Sequence, residues 1–210
     1  MRFTRKADKR LPAAERREII IDAATQTFME SGYHGAHMDA IAEEADVTKP
    51  ILYRHFPSKL SLLLAILDRA GDELRNSLLE NRDEGLDWRE SIEHDIASYL
   101  DFVNNFGAGY SLIYRIGLSV DREVAEHMSR IRDINREIVG ERIRSYTDTG
   151  SVSPGDINMI TVLIVGMAEA AAIYWMNNEK LTREVCEKNL VQAVMNILAC
   201  LPPRDRRRSE

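Results

Sequence analysis

Three features of the sequence predict an all-α fold. Apolar residues recur at steps of three and four along nearly the whole chain, and no segment sustains the period-two alternation of Val, Ile and Thr that marks a strand. Gly and Pro are sparse, 11 and 6 in 210 residues, which argues against a turn-rich β fold. Hydrophobic residues make up 44% and charged residues 30%, a balance that excludes wholesale disorder. About nine helices are expected, with no internal repeat.

The first helix is expected over 13–31. Pro12 suits its start, Glu15 and Glu18 sit near its positive end, and Ile20, Ala23, Ala24, Thr27 and Phe28 form one face. Gly32 follows as a left-handed C-cap. A short second helix covers 38–45, with Ile41, Ala42 and Ala45 inward. The third covers 49–55, with Thr48 as N-cap and Pro50 in the first turn, where its missing donor does no harm. Ser58 caps the fourth, 59–80, whose inner face is Leu62, Leu63, Ile66 and Leu67. Trp88, Ile92, Ile96, Tyr99, Val103 and Phe106 alternate at four and three, an amphipathic helix that Gly107 and Gly109 end. A shorter helix is expected over 110–118 and a long one over 121–146, with Val124, Met128, Ile131, Ile134 and Ile138 inward. The run from Thr147 to Pro154 is the clearest loop. Helices over 155–177 and 183–201 complete the chain. The last starts after Thr182 and turns Cys186, Leu190, Ala193, Val194, Ile197 and Leu201 to one side.

The net charge is −6, which by itself speaks against a nucleic-acid partner. Its distribution reverses that reading. Residues 1–17 carry a net +5, residues 1–69 a net +1, residues 70–203 a net −9 and residues 204–210 a net +2. A basic end on an acidic body implies two regions with different work. Cys186 and Cys200 form no CxxC or Cys/His spacing, so no metal site or disulfide framework is expected and reduced thiols in the cytoplasm are the default. No apolar run follows the basic N-terminus, so no signal peptide is expected. The stretch Ile157 to Met176 imitates a membrane span, but Asn158, Thr161 and the mid-span Glu169 favour a helix buried in a protein or a dimer.

Residues 38–55 have the pattern of a helix-turn-helix, whose second helix enters the DNA major groove. The turn is Ala45-Asp46-Val47-Thr48. Asp46 stands where a left-handed backbone is needed, and Val47 plugs the space between the helices. The wider segment from Ile20 to Lys59 adds Ala23-Ala24, Phe28, Gly32-Tyr33, Met38-Asp39, Ile41-Ala42, Leu52-Tyr53-Arg54-His55-Phe56 and Ser58-Lys59. This segment resembles the DNA-binding domain of the TetR (tetracycline-repressor-like) transcriptional regulators. The rest of the chain is similar to that family in length and helical layout. Two departures stand out: Asp46 replaces the usual turn Gly, and Gly35-Ala36-His37-Met38 lacks the family's phosphate-binding hydroxyl, so His37 either substitutes for it or contributes nothing.

The resemblance implies a helix-turn-helix domain over 1–58 with a basic arm, a ligand-sensing and dimerisation domain over 59–203, and a disordered Arg-rich tail over 204–210. It implies a homodimer on a palindromic double-stranded DNA operator, with recognition helices one turn of DNA apart, roughly 34–36 Å. The expected function is a repressor released from its operator by a small apolar or amphipathic effector. The alternative is a dimeric regulator without an effector, whose body serves dimerisation or protein contacts. Neither an enzyme, a cofactor nor a membrane is expected: no Gly-rich phosphate loop, GxSxG or HExxH is present.

Position assigns the candidate residues. Thr48 and Lys49 open the recognition helix, placed for phosphate, with Lys49 alternatively reaching a guanine edge. Pro50 and Ile51 offer apolar surface to thymine methyls. Tyr53, Arg54, His55 and Lys59 are candidate DNA contacts, while Leu52 and Phe56 read as core. The arm 2–10 either reaches a minor groove or the backbone, or is a solvated tail. Candidate pocket residues are Trp88, Tyr99, Phe102, Phe106, Tyr110, Tyr114, Arg115, Met128, Met167, Glu169 and Tyr174. Arg115 and Glu169 interrupt apolar stretches and serve either an ion pair, a dimer contact or ligand recognition. The candidate dimer interface comprises Ile160, Ile164, Gly166, Ala170, Leu190, Val194 and Ile197 on the last two helices, where small residues permit close approach.

Overall fold

The computed structural model describes residues 12–80, 87–105, 122–148 and 150–202. Eight α-helices occur among them and no strand: α1 Ala13–Gly35, α2 Met38–Glu44, α3 Lys49–His55, α4 Lys59–Glu80, α5 Trp88–Asn105, α6 Arg122–Tyr146, α7 Pro154–Met176 and α8 Arg183–Leu198. The all-α expectation holds. The helix expected over 110–118 lies outside the described residues. The chain divides into two compact units, one ending at Leu67 and one beginning at Asp68. That division falls inside α4 rather than at 58/59, because Leu62, Leu63, Ile66 and Leu67 are all buried at the start of that helix.

The first unit, called the head below, buries Ile20, Ile21, Ala24 and Phe28 of α1, Ile41 of α2 and Leu52 of α3 almost completely. Gly32 has the expected positive φ (69°), but α1 bends there and makes one more turn to Gly35, closed by the Ala36 N–H on the Gly32 carbonyl at 3.0 Å. Asp46 is the one non-glycine residue with positive φ among those described (49°), so the turn takes the backbone that the sequence asks of it. The Val47 N–H closes the turn on the Ala42 carbonyl at 3.0 Å. Thr48 occupies the N-cap of α3 without a side-chain cap bond, contrary to expectation, so its hydroxyl is not consumed by the helix. Ser58 caps as expected, in a reciprocal pair with Ser61: each backbone N–H reaches the other's hydroxyl at 3.0–3.1 Å.

The second unit, the body, is built from the rest of α4 with α5 to α8. Ile92, Ile96, Leu100 and Val103 of α5 pack with Ile143 of α6, Ile157, Ile164 and Ala172 of α7, and Cys186, Leu190 and Val194 of α8. Asp87 caps α5 through two N–H groups at 2.8–2.9 Å, Ser153 caps α7 and Thr182 caps α8. Arg183 ties α8 to α5, with one nitrogen on Asp101 at 2.7 Å and on the Ala97 carbonyl at 3.1 Å. Close helix approach has its own requirements. A Cβ on Gly71 would meet Ile131 Cγ2 at 2.9 Å, so α4 and α6 pack at a distance that only glycine permits there.

One inward assignment on α6 is corrected. Ile134 is 49% exposed, and Asn135 takes the buried place after Val124, Met128 and Ile131. The row continues at steps of four, three and four, and that phase points an amide into the body. On α5, Trp88 is exposed rather than inward, being the first residue of its helix.

Candidate nucleic-acid interface and body cavity

α3 is a seven-residue helix with two unlike faces. Leu52 is fully buried, and Phe56 just beyond the helix is 3% exposed, as the sequence implies. Lys49, Pro50, Tyr53 and Arg54 face outward and Ile51 is half-buried. Tyr53, at 48%, is the one large hydrophobic residue exposed in the head among the described residues. The fold thus holds a short helix by its apolar side and leaves a cation, a guanidinium and a phenol on the other. His37 is exposed at the N-cap of α2 and makes no cap bond.

Two candidate contacts differ from their expected states. The Lys59 ammonium donates to the carbonyls of His34 at 3.2 Å and Ala36 at 2.9 Å, and sits 4.7 Å from the centre of the Tyr33 ring. It therefore fastens the end of α1 to the start of α4. His55 is half-buried with Nε2 shut off from solvent and unbonded. Burial first, then the charges of Arg54, Arg16 and Arg17, hold its pKa below the ordinary value and favour the neutral ring. Neither residue is a free phosphate donor in this conformation. Sequence reasoning also passed over Asp39, whose carboxylate accepts from the Lys49 ammonium at 2.7 Å on an exposed surface. The only available signal was an acid ten residues before the lysine, on the neighbouring helix.

The body contains a cavity of about 130 Å³ bounded by α4, α5, α6, α7 and α8. Among the described residues its wall is mostly aliphatic, with Tyr99 and Tyr146 as the aromatic members. Asp95, Arg132, Asn135, Arg142 and Glu169 supply the polar part. Arg142 Nη2 donates to Asp95 at 3.1 Å and to the Leu78 carbonyl at 3.3 Å. Burial pushes the Asp95 carboxyl up to about 6, against the opposing charges of Arg142 and His94.

Of the expected pocket residues, the structure brings Tyr99 and Glu169 to this cavity. Trp88 lines a separate cleft of about 370 Å³ with Tyr146 and Leu198, which border both spaces. Phe102 and Met128 are buried core and do not line the cavity. Met167 is partly buried against that core, and Tyr174 points outward at 64% exposure. Phe106, Tyr110, Tyr114 and Arg115 lie outside the described residues. Among the described residues the wall is made chiefly of Leu, Ile and Val, which aromatic richness does not point to. Asn135, an amide in the apolar row of α6, was the better signal.

The expected dimer residues also separate. Gly166 and Ala170 are exposed, with open space beside Gly166. Ile164, Leu190 and Val194 are buried in the body's own core, and Ile160 and Ile197 pack against it. The outward row of α7 is instead Met159, Leu163, Gly166, Ala170 and Tyr174, with Val162 beside it. Because α7 is apolar on every side, composition could not set its rotation. It is also long and apolar enough to cross a membrane by length and composition, with a mean hydropathy of 1.8.

These two regions coincide with matches to known proteins. Residues 20–66 match the family described as bacterial regulatory proteins, tetR family, and residues 88–197 match the tetracyclin repressor-like C-terminal domain. The HTH-type transcriptional activator FasR of Mycolicibacterium smegmatis is 34% identical over 171 residues, covering 81% of this chain and 77% of that protein. The HTH-type transcriptional repressor KstR of the same species is 47% identical, but over 55 residues, 26% of this chain. A TetR-like transcriptional regulator from Rhodococcus sp. RHA1 has a crystal structure that superposes with a TM-score of 0.74 at 28% identity, covering 90% of this chain and 99% of that one. The helix-turn-helix head, the helical body and the matches across both make the chain a member of the TetR family of helix-turn-helix transcriptional regulators.

Proposed function

We propose that the protein is a homodimeric cytoplasmic repressor that leaves its operator when a small molecule fills the body cavity. The observation that carries the DNA reading is the two-faced α3: Leu52 buried, with Lys49, Pro50, Tyr53 and Arg54 outward and no competing role for Tyr53. Lys49 and Tyr53 are assigned the main contacts. Thr48, with its uncommitted hydroxyl, and Arg54 support them, and Pro50 and Ile51 meet base methyls. Lys59 and His55 act behind the surface. The outward row of α7 supports the dimer, because a continuous apolar strip with Gly166 and Ala170 at its centre lets a second copy approach closely. The cavity supports an effector. A ligand that fits it in one arrangement of the dimer and not in another would shift the population away from the operator-binding state.

A second reading of the output is favoured by one observation: the relative matched over 81% of the chain is named an activator. Transcription in vitro from the promoter beside the protein's own gene separates the two, falling with added protein for a repressor and rising for an activator. The core of the proposal is tested on the same DNA. Lys49→Ala and Tyr53→Ala should each weaken binding by roughly 10- to 100-fold, about 1–3 kcal/mol, with the dimer intact by sedimentation. Binding that is unchanged in both variants, or that is insensitive to salt in the parent, would defeat it.

A further inference from the structure

We infer that the body cavity takes an uncharged molecule with a compact apolar body and a single hydroxyl, a phenol or an alcohol, that donates its proton to Asn135. The inference rests on the reading of this cavity as the effector site and narrows what the effector is.

Size sets the first limit. A cavity of about 130 Å³ compares with a cavity of roughly 150 Å³ that stays dry and binds benzene in another protein. The occupant is therefore about one six-membered ring in bulk. The wall sets the second. Aliphatic side chains from α4 to α8 offer such a ring dispersion contacts.

Charge sets the third limit. Asp95 and Glu169 bring two carboxylates to the wall, and Arg132 and Arg142 bring two guanidiniums. Asp95 and Arg142 already satisfy each other at 3.1 Å. Among the described residues the wall carries as many guanidiniums as carboxylates, so a charged ligand would lose its hydration and meet as many like charges as opposite ones. A neutral ligand loses far less.

Asn135 supplies the remaining constraint. It is 7% exposed, it lines the cavity, and its amide oxygen is shut off from solvent without a hydrogen-bond partner. A buried acceptor left unpaired is a standing cost that a ligand relieves by donating to it. A half-turn of the carboxamide about its last bond, a broad torsion, brings the oxygen to the cavity and exchanges it with the amide nitrogen. A hydroxyl is the smallest neutral group that donates to this oxygen and can also accept from the amide nitrogen.

The experiment uses the full chain without DNA and four probes: phenol, cyclohexanol, benzene and benzoate, titrated by calorimetry at pH 7.5 with thermal unfolding in parallel. Phenol or cyclohexanol should bind at least tenfold more tightly than benzene and than benzoate, and should raise the melting temperature. Asn135→Leu, which replaces the unpaired amide with an apolar group of similar size, should fold with an unchanged or higher melting temperature. It should lose the preference of hydroxylated probe over benzene. Benzoate binding as tightly as phenol, a hydroxyl preference that survives in Asn135→Leu, or no binding of either hydroxylated probe at 10 mM would each overturn the inference. The ranking in the parent protein decides the question even if the variant does not fold. Operator binding measured with and without the bound probe tests the effector reading separately. A hydroxylated probe that binds without loosening DNA would defeat that reading and leave the ligand class standing.

Discussion

The two units treat their apolar side chains differently. In the head, Ile20, Ile21, Phe28, Ile41, Leu52, Leu62 and Leu63 are shielded to within 1% of complete burial, and among the described residues Tyr53 is the one large apolar residue left out. In the body, Met159, Val162, Leu163, Tyr174 and Val185 stand exposed while a cavity remains inside. The head closes its core and leaves an outward polar row on α3. The body leaves an apolar row outside and a cavity inside, which the proposed function fills with a second copy and a ligand that would make it responsive. A closed core gives a rigid platform, and an open one gives an equilibrium that binding can shift.

The sharpest way to break this contrast is to open the head. Phe28 is 1% exposed and its ring packs edge-on against Tyr33 at 5.6 Å. Phe28→Ala should cost about 3–5 kcal/mol, enough to unfold so small a unit. Calorimetry should show the head transition shifted to lower temperature, with DNA binding lost and dimerisation retained. Loss of both together would mean that the units do not fold independently.

The body is next tested from outside. Leu163, 52% exposed in the middle of α7, is neither core nor cavity wall. Leu163→Arg should leave helix content unchanged and yield a monomer by sedimentation at micromolar concentration. DNA affinity should fall at least tenfold because one head then binds alone. A variant that stays dimeric places the interface elsewhere and leaves this apolar row to another partner or to a membrane.

What the sequence made legible divides along the same line. The head could be read nearly residue by residue, because its short helices each have one apolar face and its turn requires a particular backbone at Asp46. Leu52 and Phe56 read as core for that reason, and the structure buries both. The body resisted such reading. α7 carries apolar residues all around, so Ile164 and Leu163 look equivalent in sequence, yet one is buried and the other exposed. Local periodicity fixes a helix but not its rotation when every face is apolar. The cavity was illegible for a related reason: an aliphatic wall is indistinguishable from core until the helices are placed. The bonds of Lys59 were not legible because its partners, the carbonyls of His34 and Ala36, belong to backbone whose position depends on the bend at Gly32.

The units should also differ in how pH acts on them. In the body, the Asp95 carboxyl lies at about 6, above its ordinary 3.8, chiefly because burial disfavours its charge. The folded state then holds the proton more tightly than the unfolded chain. Its contribution to stability is full below about pH 4 and is lost as pH rises toward 6. In the head, burial and three nearby guanidiniums lower the His55 pKa, so the unfolded chain holds the proton more tightly and stability rises as pH approaches 6.5. Thermal unfolding between pH 4 and 7 should show opposite slopes from these two groups. Asp95→Asn should flatten the body's slope alone, and a slope unchanged by that substitution would assign it to other groups.

The smallest effect on stability carries the finest distinction between the two surfaces. Lys49 and Asp39 form an ion pair at 2.7 Å with side chains 60% and 64% exposed. Exposed pairs are worth about 0–1 kcal/mol, so Asp39→Ala should leave the melting temperature almost unchanged. Its effect on DNA should be larger than its effect on folding. In the free protein the carboxylate occupies the ammonium that a phosphate or a guanine edge would take, and it places a negative charge beside the recognition helix. Removing it should raise affinity for any sequence several-fold. It should also steepen the salt dependence by about one released counterion. Lys49→Ala in the same background should abolish both gains, which assigns them to the freed lysine rather than to the lost charge alone. If affinity instead falls at one position of the operator and nowhere else, Asp39 reads a base, and the acid belongs to the recognition surface as much as the lysine does.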